Sequence, residues 1–202
     1  MNNVELWKSV INTLSIESNA ISSLISTVEE EKILETVKLI ADCKGKTIVA
    51  GCGTSGLAAR KIAHSLCCVG QPACYMNPSD AVHGGLGLLQ EKDIFILISK
   101  GGNTKEILSI IPACKTKLAK LIGVSENPRS ILATESNVFL QVKVDMEPCP
   151  FNMLATASTL AVIAVFDAIC IALMIHTNYT KEQFTVIHPG GAVGDRLLAG
   201  EK

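Results

Sequence analysis

A chain of 202 residues with 48% hydrophobic residues and a net charge of −1 can bury a generous core and offers no electrostatic case for nucleic acid. Aromatics are only 4%, so aliphatic and small side chains must build that core, which suits helices packed on a parallel sheet. The eight cysteines are scattered, with no C-x-x-C pair, and read as buried free thiols in a reducing cytosol; the N-terminus MNNVELWKSV has no basic region leading into an apolar core, so no signal peptide is expected.

Residues 3–28 space their apolar side chains three or four apart, and 29–41 repeat the pattern with Ile33, Leu34, Val37 and Ile40. Two helices therefore precede the first strand as an N-terminal arm of about residues 1–43. The apolar run Ile48-Val49-Ala50 ends in Gly51-Cys52-Gly53-Thr54-Ser55-Gly56, and a helix is expected over 57–69. Gly70-Gln71-Pro72 stops it, and 73–76 is the second strand. The stretch 78–87 is too polar and glycine-rich for core. Residues 93–99, DIFILIS, read as a strand buried on both faces. The next elements are a helix over 105–117, a strand over 118–124, a short helix over 128–134 and a strand over 138–144. This alternation predicts a three-layer α/β domain with a doubly wound parallel sheet.

The long apolar stretch 151–176 has a membrane span as its competing reading. Asp167 near its middle would cost roughly 2.5–3.5 kcal/mol in lipid. A helix buried in a core or between subunits is therefore expected, with no membrane partner. No internal repeat or linker interrupts the chain, which reads as a single domain over 1–202.

Gly51, Gly53 and Gly56 form G-x-G-x-x-G between a strand and a helix, the dinucleotide fingerprint. The acidic residue that should end the second strand is missing; Asp80 comes late, in a Pro/Ser turn. A nucleotide cofactor is thus not expected. Bare backbone at a helix N-terminus suits an anion equally well, and Ser55 adds a hydroxyl. A second glycine-rich loop, Ser99-Lys100-Gly101-Gly102-Asn103-Thr104, ends the third strand and supplies two more. Ligands of open parallel sheets bind beyond the carboxyl ends of the strands, so the two loops read as one phosphate cradle.

GCGTSG and SKGGNT resemble the paired loops of the sugar isomerase (SIS) domain, G-x-G-x-S-G and S-x-S-G-E-T. Three further stretches, AVHGGLG at 81–87, EPCPFNMLATAST at 147–159 and IHPGGAVGDRL at 187–197, are similar to arabinose-5-phosphate isomerases of that family. The resemblance runs from about residue 44 to 197, and no stretch here matches the CBS pair that such enzymes often carry. It implies a flavodoxin-like five-stranded sheet of order 2-1-3-4-5, a cytoplasmic homotetramer with shared active sites, and interconversion of arabinose 5-phosphate and ribulose 5-phosphate. Glu147, His83 and His188 match positions linked to catalysis. Substrate contacts carry over to Gly53, Thr54, Ser55, Ser99, Gly101, Gly102, Asn103, Thr104, Thr156, Ser158 and Thr159. Four positions depart: Thr54 replaces a lysine, Gly85 an aspartate, Gly101 a serine and Asn103 a glutamate.

An aldose–ketose isomerase needs a base beside C1 and C2, donors for the developing oxyanion and a phosphate anchor. Glu147, held before Pro148-Cys149-Pro150, is the expected base, with its basicity raised by apolar neighbours. His83 and His188 are expected to open the ring or polarise the carbonyl. Cys149 has no adjacent histidine and no sign of a lowered pKa, so it is not expected to be a nucleophile. No spacing of His, Cys and carboxylates suits a metal. A non-catalytic sugar-phosphate sensor is the alternative that the four departures favour, and a hexulose-phosphate isomerase is the second.

Overall fold

A computed structural model describes residues 2–191 together with Gly194 and Asp195. Five strands, β1 (Thr47–Gly51), β2 (Ala73–Tyr75), β3 (Ile94–Ile98), β4 (Lys120–Ser125) and β5 (Val138–Gln141), form one sheet of order β2-β1-β3-β4-β5. All four pairings are parallel, as the expected fold requires. β1 and β3 are buried at every residue because helices cover both faces. Side chains alternate between the two layers. Val49, Ile94, Ile96, Ile98 and Val124 face one core; Ile48, Ala50, Phe95, Leu97 and Leu121 face the other.

The first core is closed by α1 (Asn3–Thr27), α2 (Glu30–Ala41), α3 (Gly53–Cys68) and α8 (Ala157–His176). An Asn2–Glu5 capping box starts α1. The second core is closed by α4 (Pro78–Ala81), α5 (Lys105–Leu108), α6 (Ile111–Thr116) and α7 (Ile131–Glu135). α9 (Lys181–Ile187) follows α8.

Several boundaries differ from the sequence reading. α3 begins at Gly53, so the glycine loop is already the helix's first turn. The single helix expected over 105–117 is two, because Pro112 has no N–H with which to continue the ladder. β4 starts two residues late, since Leu118 has φ 58° and turns the chain. α7 waits until Ile131, capped by the Ser130 hydroxyl. β5 ends at Gln141 and α8 begins only at Ala157. The 78–87 stretch is not all surface: Pro78 and Ala81 are buried, and Gly85–Leu88 forms a 3-10 turn.

α8 is long and apolar enough to cross a membrane, with a mean hydropathy of 2.4, and a third of it is buried against the protein. Ala161, Val165, Phe166, Ile169 and Leu173 enter the first core. Asp167 on its other side pairs with Lys61 of α3.

Candidate active site

The β1–α3 turn works through its backbone. A Cβ on Gly51 would lie 2.6 Å from the Ser55 carbonyl oxygen, and one on Gly56 would lie 2.6 Å from the Gly51 carbonyl oxygen. Only glycine allows the strand end and the helix to come this close. Gly53, with φ 55°, makes the corner between them. The approach aims Thr54 and Ser55, at the positive end of a sixteen-residue helix, over the carboxyl edge of the sheet.

The β3–α5 loop is held by side chains instead. Ser99 Oγ accepts the Gly102 N–H at 3.1 Å and lies 2.8 Å from the Thr104 hydroxyl. The Lys100 carbonyl accepts from Ser125 Oγ at 2.9 Å and from the Glu126 N–H at 3.0 Å. Asn103 Oδ1 accepts the Ile131 N–H at 3.1 Å and so caps α7. A cavity of about 60 Å³ opens between the two loops. Thr54, Ser55, Lys100, Ser125, Glu126, Ser158 and Thr159 line its polar side, with Ile98, Val124, Val142 and Val162 among the apolar residues.

Glu147 lies behind this wall. It has no exposed surface, and Lys100 Nζ stands 2.6 Å from its Oε1. The Ser158 hydroxyl donates to the same oxygen. Oε2 accepts the Thr156 N–H at 3.0 Å and the Ser158 N–H at 3.4 Å. Asn152 fixes the glutamate's own N–H at 2.6 Å. Burial alone pushes the carboxyl up, but Lys100, Ser158 and the Thr156 N–H outweigh it and hold the group below the usual range. The raised basicity expected from the sequence is therefore corrected: apolar surroundings are present, but they come with a cation and three donors.

The expected site residues divide into three groups. Thr54, Ser55, Ser158 and Thr159 line the cavity. Ser99 and Thr104 bond each other beside it, and Thr156 turns its N–H to Glu147 while its hydroxyl is buried with no partner among the described residues. His83 and His188 do not line it. His83 is exposed after α4, and His188 stacks on Phe184 at 3.8 Å while Nδ1–H donates to the Phe184 carbonyl at 2.9 Å. Part of the 187–197 stretch, including Ala192 and Val193, lies outside the described residues. Gly101 faces open space, whereas Gly102, at φ 71°, has no room for a Cβ beside the Ser130 hydroxyl.

Cys149 also differs from expectation. Its sulfur accepts the Leu154 and Met153 N–H groups at 3.0 and 3.1 Å, which hold the thiol below its ordinary value. Lys100, Ser125 and Glu126 were absent from the sequence-derived site. All three sit in or next to the turns that end β3 and β4, where open parallel sheets place their ligands, and that position was the available signal.

A family model described as the SIS domain matches residues 39–172. The arabinose 5-phosphate isomerase KdsD of Pseudomonas aeruginosa is 35% identical over 196 residues, covering 97% of this chain and 60% of its own. KpsF of Escherichia coli, an arabinose 5-phosphate isomerase, is 36% identical over 193 residues, covering 96% and 59%. The chain thus spans about three fifths of the length of these curated relatives. Among solved structures, a protein of Listeria monocytogenes assigned provisionally as a sugar-phosphate isomerase is 58% identical, with a TM-score of 0.92 over 94% of this chain and 100% of that one. An E. coli protein solved in complex with arabinose 5-phosphate is 30% identical, with a TM-score of 0.89 over 94% and 100%.

Proposed function

The chain belongs to the SIS domain family, and from that premise we propose that it is a sugar-phosphate aldose–ketose isomerase acting on arabinose 5-phosphate and ribulose 5-phosphate through an enediol. The observation that carries the reading is the cavity at the carboxyl edge of the sheet, walled by hydroxyls and a lysine, with a buried carboxylate directly behind. Neutral donors from Ser55, Ser99 and Thr104 and the N-terminus of α3 suit a phosphate. Glu147 is the base that moves the proton between C1 and C2, and His83 and His188 open the ring or polarise the carbonyl. Relatives named arabinose 5-phosphate isomerases support the substrate class.

The site is completed by a second copy of the chain. A cavity of about 60 Å³ is far below the several hundred Å³ of ordinary ligand pockets, and neither histidine reaches it within one subunit. Apolar surface is available for such an interface: Trp7 on α1 is 63% exposed, Ile25 88% and Ile175 on α8 74%. A homotetramer in the cytoplasm covers that surface with protein rather than lipid. Light scattering at micromolar concentration is expected to give a tetramer, and a monodisperse monomer would count against it.

The test is a screen of pentose and hexose phosphates for isomerisation, with binding measured in parallel. Turnover of arabinose 5-phosphate is the expected result. Binding of sugar phosphates without turnover of any would replace this reading with a sensor.

A further inference from the structure

Glu147 is assigned the proton transfer, yet a substrate carbon cannot touch it as it stands. Its carboxylate has no exposed surface, and Lys100 and Ser158, which wall the cavity, lie in front of it. Each oxygen already accepts two donors. Three of those four contacts come from the N-cap and first turn of α8. The fourth comes from a long side chain that is 37% exposed and can swing. Among the described residues lining the cavity, Lys100 alone carries positive charge; Thr54 and Ser55 from α3 and Ser158 and Thr159 from α8 are neutral, and Glu126 beyond β4 adds a second carboxylate.

A sugar phosphate brings a carbonyl oxygen that becomes negative as the enediol forms. That oxygen competes with Glu147 for the same ammonium. We infer that Lys100 is a substrate-operated latch: it covers Glu147 in the free protein, and on binding it moves to the substrate's carbonyl oxygen and uncovers Oε1 as the base. This deepens the isomerase reading and rests on it. The step balances without a co-reactant. Glu147 takes the C2 proton of the aldose, and the C–H electron pair closes the C1–C2 double bond. The charge passes to O1, where the Lys100 ammonium donates a hydrogen bond and stays protonated. The O2 proton passes to O1, and Glu147 returns its proton to C1, giving the ketose.

Two measurements on the full chain test the latch. The first is arabinose 5-phosphate turnover against pH for wild type, Lys100→Met and Lys100→Arg. The acid limb of kcat/KM reports the free protein and that of kcat the complex. In the wild type the kcat limb should lie at the higher pH, because the latch has left the carboxylate. In Lys100→Met the two limbs should coincide, and kcat should fall at least about 10²-fold, as when an oxyanion donor is lost. Lys100→Arg should keep the separation and part of the turnover. The substrate's own titration is common to all three.

The second measurement needs only the wild type to fold. Glutamate carboxyl carbons are titrated by NMR with and without 4-phospho-D-erythronohydroxamate, which carries an anionic oxygen in the enediolate's place; Glu147→Gln identifies the resonance. The Glu147 titration should move to higher pH when the hydroxamate binds. A bound hydroxamate that leaves it unmoved, or coincident limbs in the wild type, would overturn the latch. Absence of wild-type turnover with a moved titration would overturn the isomerase reading alone. Failure of the hydroxamate to bind would overturn both.

Discussion

The two glycine-rich loops look alike in sequence and are built on opposite principles. In the β1–α3 turn, Gly51 and Gly56 let backbone meet backbone, and the Tyr75 hydroxyl adds a long contact of 3.5 Å to the Gly51 carbonyl. In the β3–α5 loop, Ser99, Thr104 and Asn103 knit the chain to itself and to α7, and only Gly102 is sterically required. The first loop creates room at a helix N-terminus. The second carries the charge, because Lys100 rides on it and reaches Glu147 beyond β5. Glycine therefore means close approach in one loop and, at Gly101, nothing more than an empty surface in the other.

Glu147→Gln should give the largest effect, since it removes the group on which the second loop's lysine converges. Turnover should fall by at least about 10²-fold, the low end for general base catalysis, with binding of a sugar phosphate nearly intact. Near-normal turnover in a steady-state assay would show that Glu147 is not the base.

Gly56→Ala should cost about 1–3 kcal/mol of stability or more, because the added methyl meets a backbone carbonyl that cannot move aside. Gly101→Ala should leave the melting temperature almost unchanged, since nothing lies within 4 Å of its Cβ. Equal losses from the two in thermal denaturation would erase the contrast between the loops.

The opposite edge of the sheet provides a control for charge. Asp93 is buried and accepts from Lys46 Nζ at 2.7 Å, the Lys46 N–H at 2.9 Å and the Gln90 N–H at 2.8 Å. Burial raises its pKa, but the three contacts outweigh it and the net shift is downward. A depressed folded-state pKa gives stability that is fully present above the unfolded value and is lost as pH falls through the folded one. Asp93→Asn should therefore cost about 1.5–3 kcal/mol at neutral pH in urea denaturation. The gap to wild type should close as the solution is acidified through the carboxylate range. A gap that stays constant with pH would mean that the charge contributes nothing.

Ser99→Ala should have the smallest effect on the chemistry. It takes away the partner of the Thr104 hydroxyl, while the Gly102 N–H keeps the Ser99 carbonyl at 3.0 Å, so the cost should be about 1 kcal/mol. It should raise KM for the true substrate more than it lowers kcat. A fall in kcat with KM unchanged would move Ser99 from the phosphate anchor to the reacting carbons.

Much of this molecule was readable in its sequence because the signals are local. Short continuous apolar runs marked the strands, a 3.6-residue period marked α1 and α2, and glycine at strand ends marked the two loops. Proline at position 112 carried the break between α5 and α6 as well, but the apolar pattern on either side concealed it. The position of Glu147 just past β5 was legible for the same reason. Its state was not. Lys100 lies 47 residues away along the chain and 2.6 Å away in space, and no spacing rule reports that meeting. Apolar neighbours in sequence argued for a raised carboxyl pKa, whereas the sign is decided by donors that arrive from β3 and from the start of α8. Ser125 and Glu126 likewise entered the site only because parallel pairing sets the end of β4 beside the end of β3. Periodicity and glycine reflect what each residue permits its own backbone, so the sequence alone determined the strands, the layers and the loops, and the sheet order followed from the family resemblance. Electrostatics acts through space and depends on distances that only the assembled sheet sets, so the tertiary structure decided which charge meets which.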